Sequence, residues 1–480
     1  MTTDRMLQFV KTEKAMPEKR QATARKKDFD EIYADFADAK AKEQASRCSQ
    51  CGVPFCQTNC PLHNNIPDWL MLTAENRMEE AWEVSSATNS FPEICGRICP
   101  QDRLCEGNCV IEKGFESVTI GAVEKHISET AFENGWVKPP KPVHERDESV
   151  AIIGAGPAGL AAADMLRRYG YQVEIYDRYD RVGGLLIYGI PGFKLEKHIV
   201  ERREQLLRDS GVTFTMNTAI GSDISFSDIK EKHNAVLIAT GVYKARDLNM
   251  GGNDMSGVIP ALDYLTASNR LGLGDDLGAE KMKEVSAEGR DVVVIGGGDT
   301  AMDCVRTAIR QKAKSVRCVY RRDRANMPGS EREVMNAEEE GVIFEWLTAP
   351  EEFKGSNQIE AVTCSKIHLG QPDATGRRVP EKIDNSEFEL KADLVIKALG
   401  FDPEDIPEMF AESDLKVSRW GTIHIDWKSM MTGVEGVFAA GDIVRGASLV
   451  VWAVRDGRDA AERIHSWLKV KAAGLDKIAS

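Results

Sequence analysis

Eight of the eleven cysteines in this 480-residue chain lie between Cys48 and Cys109, in two runs. The first is C-x2-C-x4-C-x3-C (Cys48, Cys51, Cys56, Cys60), closed by Pro61; the second is C-x3-C-x5-C-x3-C (Cys95, Cys99, Cys105, Cys109), with Pro100 inside it. In a chain without secretory features, cysteines so clustered suit metal better than disulfides. Structural zinc prefers paired C-x2-C knuckles, and only Cys48 with Cys51 has that spacing. Short irregular gaps with a Cys-Pro dipeptide suit iron–sulfur ligation. The expectation is two 4Fe–4S clusters; zinc and disulfides are the competing readings.

In two-cluster ferredoxins the fourth cysteine of a run ligates the other cluster. By that rule Cys48, Cys51 and Cys56 take Cys109 as their fourth ligand. Cys60 crosses to join Cys99 and Cys105, with Cys95 completing the second set. His63 is then left as a surface or capping residue, because the cysteines already fill every position.

A second stretch with chemistry in it is Val150-Ala-Ile-Ile-Gly154-Ala-Gly156-Pro-Ala-Gly159. A β-branched strand runs into glycines at GxGxxG spacing and then into a helix, the context that makes this motif a dinucleotide signature. The pyrophosphate would sit on the helix N-terminus. A second strand, Gln172–Tyr176, ends at Asp177, eighteen residues past Gly159, where an acid would hold a ribose hydroxyl. Gly183-Gly184-Leu185 makes a further turn that lets backbone approach a ligand. A second copy, Val292-Val-Val-Ile-Gly296-Gly-Gly298-Asp-Thr-Ala301, follows downstream. Counting on from Gly296 as far as Asp177 lies from Gly154 lands on Val319, and the residues just after it, Tyr320-Arg321-Arg322, include no acid. Arginines bind a 2′-phosphate that an acid would repel, so this site should prefer NADPH to NADH.

These features need a scaffold. The net charge of −14 speaks against a general nucleic-acid binder. No apolar run approaches a membrane span. Met1 to Lys27 mixes charges without an apolar signal core, which gives a cytoplasmic expectation. Phe29, Ile32, Tyr33 and Phe36 stand at helical spacing, Arg25-Lys26-Lys27 reads as a solvated face, and Ile66–Ala87 reads as a helical spacer. Residues 138–149 have the composition of an exposed linker. Apolar strands at Val236–Ile238 and Ala392–Leu399 end in the glycine turns Thr240-Gly241 and Gly400. The expected fold class is α/β: an N-terminal helical iron–sulfur domain, then two Rossmann-like nucleotide domains of the tandem flavoprotein reductase type, the second inserted in the first. The expected limits are 1–145, 146–245 with 396–480 for the first nucleotide domain, and 246–395 for the second. Cys304 reads as a small core residue.

The first nucleotide unit resembles the FAD site of the tandem flavoprotein reductases through GAGPAG at 154–159, Asp177, Ala239-Thr240-Gly241 and Ala440-Gly441-Asp442. The resemblance implies FAD contacts at Gly154, Ala155, Gly156, Pro157, Ala158, Gly159, Asp177, Arg178, Gly184, Leu185, Lys194, Thr240, Gly241, Gly441, Asp442 and Val451. It also implies that the helix after Asp442 points its N-terminus at the flavin ring. The second unit resembles the NADPH domain, which implies contacts at Gly296, Gly298, Asp299, Thr300, Ala301, Arg321, Arg322 and Gly400. Over essentially the whole chain, the sequence resembles the small-subunit family of bacterial NADPH-dependent glutamate synthases. The stretches Cys95–Cys109, Gly296–Cys304 and Gly441–Trp452 carry that likeness.

The resemblance implies electron input. NADPH is oxidised at FAD, and two 4Fe–4S clusters pass the electrons to a large subunit with glutaminase and FMN sites. That partner would make L-glutamate from L-glutamine and 2-oxoglutarate. Thr2 stands where an N-terminal amidotransferase nucleophile would be cysteine, so that step is expected in the partner. Three rivals share parts of the pattern. A disulfide reductase would need a C-x-x-C in the nucleotide units, and there is none. A pyrimidine reductase or ferredoxin transhydrogenase subunit would use the same architecture. A zinc-stabilised interaction protein would keep the cysteines without the flavin.

Overall fold

The computed structural model describes residues 6–373 and 378–473, so Thr2 lies outside the described residues. The strands in chain order are β1 (Ser149–Ile153), β2 (Gln172–Tyr176), β3 (Thr213–Thr215), β4 (Ala235–Ile238), β5 (Lys244–Ala245), β6 (Val258–Pro260), β7 (Asp291–Ile295) and β8 (Ser315–Tyr320). They continue with β9 (Ile343–Trp346), β10 (Thr348–Gly355), β11 (Ile359–Pro372), β12 (Arg378–Lys382), β13 (Phe388–Lys391), β14 (Leu394–Lys397), β15 (Phe401–Asp402) and β16 (Val437–Ala439).

Two parallel sheets carry the architecture. The first has the order β16-β4-β1-β2-β3 and the second β6-β14-β7-β8-β9. Their central strands are near-continuous Val, Ile, Leu and Ala runs, as sheets covered on both faces require; β4, β7 and β14 are buried along their whole length. Because β16 pairs with β4, chain from either side of the second sheet builds the first. The second unit is inserted in the first, as the sequence suggested. An antiparallel ribbon of β5 and β15 joins the crossings between them. β14 runs across the expected limit between 395 and 396.

The first sheet is closed by two helices, Pro157–Arg168 and Val450–Ala472. They approach closely because Gly457 has no side chain: a Cβ there would lie 2.1 Å from the carbonyl oxygen of Ala158. The N-terminal region is helical and short-looped, and its core residues Trp69, Phe91 and Val123 belong to the same apolar cluster as Leu160 and Val454. The cysteine region and the first nucleotide unit therefore share one core. The second unit has its own, around Val294, Met302 and Ile396.

Several local expectations are corrected. Residues 28–37 are not a helix: Arg20 N–H donates to Ile32 O at 2.9 Å and Ala34 N–H to Glu18 O at 2.9 Å, so the segment folds back as an extended strap. The run Asp28-Phe-Asp-Glu-Ile-Tyr has weak helix formers at almost every position. Arg25 is not on a solvated face; it is 1% exposed, whereas Lys26 and Lys27 are exposed. The spacer is two helices, Ile66–Ala74 and Met78–Thr88. The antiparallel sheet of β10 to β13 was not anticipated.

Candidate functional site

None of the cysteines is paired in a disulfide, and Cys48, Cys56, Cys60, Cys95 and Cys99 of the two runs are buried. Burial pushes the Cys56 thiol up to about 12, and Cys48, Cys109 and Cys51 are the thiols that add to the effect. Burial likewise pushes Cys60 up to about 12, with Glu124 and Cys95 adding to it against Asn64 and Leu62 N–H donors. Cys99 is raised by its hydrogen bond with Cys95, by burial and by Cys60. Cys48 and Cys56 thus lie near Cys51 and Cys109, and Cys60 and Cys99 near Cys95, while Cys105 lies near both Cys60 and Cys56. A thiol raised in this way becomes a ligand when metal charge replaces its proton. Zinc draws four thiolates to about 2.3 Å from one point. Among the described residues no three His, Cys, Asp or Glu side chains are gathered around a single point in that way. His63 is exposed and meets Arg455 Nη1 at 3.3 Å.

The first glycine turn is shaped by three different constraints. Gly154 has φ +114°, a region costly for other residues, and a Cβ would lie 2.3 Å from Ala239 O. A Cβ on Gly159 would lie 2.1 Å from Gly154 O, which locks helix to strand. Gly156 has open space in front of it, and the helix that follows has Pro157 in its first turn and no side-chain cap. Free N–H groups of a first turn are an anion site. Asp177 accepts from Ala155 N–H at 2.7 Å and Tyr179 N–H at 2.9 Å. Burial pushes its carboxyl up while those two donors pull it down.

Other residues expected at FAD fall around this turn. Gly184 is pressed on it, a Cβ there lying 2.9 Å from Gly156 Cα, and so is Gly441, where a Cβ would lie 2.9 Å from Ala158 Cβ. Thr240 Oγ1 is buried and has no partner among the described residues. It lines a small cavity with Gly154, Asp177, Arg178 and Tyr243. Arg178 donates to Glu404 Oε1 at 2.9 Å and lies over the Tyr243 ring. Asp442 accepts from Ser448 Oγ at 2.7 Å. Val451 is buried in the first turn of the Val450–Ala472 helix, which has no side-chain cap. The orphan hydroxyl, the vacant approach to Gly156 and the uncapped helix all fit a dinucleotide. Lys194 differs: its ammonium reaches Asp303 Oδ1 at 2.9 Å, in the second unit.

The second glycine turn repeats the logic. Gly296 has φ +147° and would clash with Ala398 O, Gly298 faces open space, and Ala301 is wholly buried in the third position. Asp299 opens the Asp299–Arg310 helix and accepts from Ser330 N–H at 3.0 Å. Arg321 and Arg322 follow the end of β8 and have no carboxylate partner among the described residues; Arg322 Nε donates to Arg378 O at 3.4 Å. Gly400 O accepts from Arg246 N–H at 3.0 Å. Cys304 is a buried core thiol.

All three parts meet in one cavity of about 280 Å³. Cys99 and Pro100 line it from the cysteine region, Pro157, Leu185, Lys194, Asp442 and Val450 from the first unit, and Asp299, Thr300 and Asp303 from the second. Sequence reasoning missed Glu31, Tyr33, Ser330, Arg332 and Glu333 on the same wall. Ser330-Glu-Arg-Glu333 has the S-x-x-E pattern of a helix start and was readable; the strap residues had no local signal.

Comparison with known proteins agrees with this geometry. Residues 25–136 match the family described as dihydropyrimidine dehydrogenase domain II, 4Fe-4S cluster, and residues 148–457 match pyridine nucleotide-disulphide oxidoreductase. The chain is 63% identical over 473 residues to the glutamate synthase (NADPH) small chain of Azospirillum brasilense, covering 98% of each. The chain belongs to the glutamate synthase small-chain family. The Escherichia coli K12 member is 45% identical over 470 residues, covering 96% of this chain and 99% of that one. Among solved structures, Mycobacterium tuberculosis FprA in complex with NADPH aligns with a TM-score of 0.58 at 20% identity, over 69% of this chain and 86% of that one. That likeness shows the shared reductase fold.

Proposed function

We propose that this chain is the electron-input subunit of a glutamate synthase: it oxidises NADPH at FAD and delivers electrons through two 4Fe–4S clusters to a large subunit. The single observation that carries the reading is the central cavity, where the cysteine region, the uncapped Pro157 helix and the Asp299 helix converge. A flavin held there supplies the exchange of a hydride for single electrons, which iron–sulfur clusters accept.

The chain's own residues supply position and field. The first turns of the Pro157–Arg168 and Asp299–Arg310 helices hold the two pyrophosphates. The N-terminus of Val450–Ala472 opens on the cavity, where its partial positive charge favours an anion. Arg321 and Arg322 select the 2′-phosphate. Cys99 stands at the cavity wall, so its set (Cys60, Cys95, Cys99, Cys105) would hold the cluster nearer to a flavin bound in the cavity. The set of Cys48, Cys51, Cys56 and Cys109 has the exposed apolar residues Val53, Phe55 and Val110 next to it in sequence. The proposed domain limits are 1–145, 146–245 with 398–480, and 246–397, which moves the expected limit at 395 so that β14 stays whole in the second unit. We place the protein in the cytoplasm; no helix of the described residues is long and apolar enough to cross a membrane.

The large partner carries the glutaminase and FMN sites in this reading. Anaerobically purified chain should contain FAD and about eight irons, as two four-iron clusters require. It should oxidise NADPH with artificial acceptors and make no glutamate from glutamine and 2-oxoglutarate. Native protein should co-purify with a much larger glutamine-hydrolysing chain. Glutamate formation by the chain alone, or zinc in place of iron, would overturn the proposal.

A further inference from the structure

The cysteine region grips the second nucleotide unit at two separate places. At the first, Arg25 is buried among carboxylates of the second unit: its Nε donates to Glu340 Oε1 at 2.9 Å and its Nη2 to Glu339 Oε2 at 2.7 Å. Glu340 is also held by Arg306 and Arg310, and Arg306 reaches Glu333. Both arginines lie over the ring of Phe193, from the first unit, at 4.4 and 3.9 Å. Three parts of the chain thus close one buried charge cluster, and a buried charge that loses its partner is strongly disfavoured.

At the second place Asp102, between Cys99 and Cys105, caps a helix that is not its own. Its carboxylate accepts from Ser330 Oγ at 3.1 Å and from Glu331 N–H at 3.2 Å, at the start of the Glu331–Glu340 helix. Ser330 makes no side-chain cap of its own. Its backbone N–H donates instead to Asp299, the residue that opens the second dinucleotide helix. One serine therefore connects the loop between two cysteines to the helix end that faces the central cavity.

We propose that the cysteine region is a clamp that fixes the second nucleotide unit in its hydride-delivering orientation, with Arg25 and Asp102 as positioning residues. The inference rests on the reading that NADPH bound at the second unit reduces a flavin in the cavity. Neither residue touches the reacting atoms. Each acts through the Glu331–Glu340 helix, which carries both Ser330 at its start and Glu340 at its end.

The test uses the holoenzyme with Arg25→Gln, Asp102→Ala and Asp102→Asn, in anaerobic stopped-flow flavin reduction at saturating NADPH and in amide hydrogen exchange. Misplacing a donor by about 1 Å can cost roughly 100-fold, so the rate constant should fall about 10- to 100-fold in the first two variants. The NADPH KM should stay within about two-fold, because ground-state contacts are kept. Exchange in 331–340 should rise, with flavin and iron content unchanged. Asp102→Asn keeps an acceptor for Ser330 and should recover most of the rate. Ser330→Ala reports on the same contact without altering the cysteine loop. Wild-type rates and unchanged exchange in Arg25→Gln and Ser330→Ala would overturn the clamp. So would slow reduction with unchanged exchange. A wild-type holoenzyme that NADPH fails to reduce would instead overturn the functional reading, while the exchange comparison would still decide the clamp.

Discussion

Asp177 Oδ2 accepts the backbone N–H of Ala155 at 2.7 Å, tying the tip of the second strand to the middle of the first glycine turn. The acid placed by spacing at a ribose also shapes the loop that precedes the pyrophosphate site. Replacing it with alanine leaves two buried N–H groups, those of Ala155 and Tyr179, without their acceptor. Hydrogen bonds to a charged group contribute about 1.5–3 kcal/mol, so Asp177→Ala should bind FAD roughly 10- to 100-fold more weakly. Flavin retention through gel filtration checks this; full retention would remove Asp177 from the site.

The glycines separate folding from binding. An alanine at Gly156 or Gly298 meets no atom within 4 Å, whereas one at Gly159 meets a carbonyl oxygen at 2.1 Å. Compared as flavin-free proteins, Gly156→Ala should melt within about 1 °C of the parent, since surface changes of this kind fall within ~0.5 kcal/mol, yet it should fail to bind flavin. Gly298→Ala should keep flavin and lose NADPH affinity. Gly159→Ala should fail to accumulate as folded protein. Equal melting and equal flavin content in all three would refute the assignment.

Coenzyme choice rests on two arginines. Arg321→Ala with Arg322→Ala should raise the NADPH KM about 10- to 100-fold, the worth of charge-assisted bonds to a phosphate. The NADH KM should hardly move. A parallel rise for both coenzymes would return these arginines to an ordinary surface role.

For the clusters, Cys48→Ala should remove about four irons per chain and lower the thermal midpoint, since metal binding and folding are coupled. Cys95→Ala should remove iron from the other set. Iron analysis with electron paramagnetic resonance distinguishes the two. Undiminished iron in Cys48→Ala would exclude that thiol as a ligand.

Acid should loosen the join between the cysteine region and the first unit. Burial tends to raise the Glu129 carboxyl, but the partners Arg202 and Arg97 outweigh it and take it from 4.5 to about 2. A lowered carboxyl stabilises the fold above its unfolded pKa and loses that contribution as pH falls through the native value. The window is therefore from pH 4.5 down to about 2, and the full contribution is on the order of 3 kcal/mol. Thermal midpoints between pH 6 and pH 3 should fall more steeply in the parent than in Glu129→Gln; identical slopes would rule out this linkage.

The sequence exposed what is local and hid what is assembled. Both glycine turns, the strands that lead into them and the cysteine runs are short-range patterns, and the strand–turn–helix units stand where their spacing put them. The insertion of one nucleotide unit in the other was legible from the late Gly441-Asp442 turn. Arg25, by contrast, looks in sequence like any basic residue beside two lysines. Its carboxylate partners, Glu339 and Glu340, lie more than three hundred positions away. Lys194 likewise belongs by motif to the first unit and by contact to Asp303. The strap at 28–37 had aromatic residues at helical intervals, but its backbone pairs with residues 18–20 instead. Long-range partners, not local propensity, settled these cases.

The pairing of β16 with β4 also sets a schedule for biosynthesis. The two strands are about 200 positions apart, and a ribosome adding ~5–20 residues per second needs roughly 10–40 s to make that stretch. During that interval the second unit can form around its own core, while the first sheet has an open edge at β4, the core it shares with the cysteine region lacks Val454, and its nucleotide site lacks Gly441 and Asp442. Flavin can be captured only after the last strand arrives, so loading of the first dinucleotide site should be a late event in the life of each newly made chain.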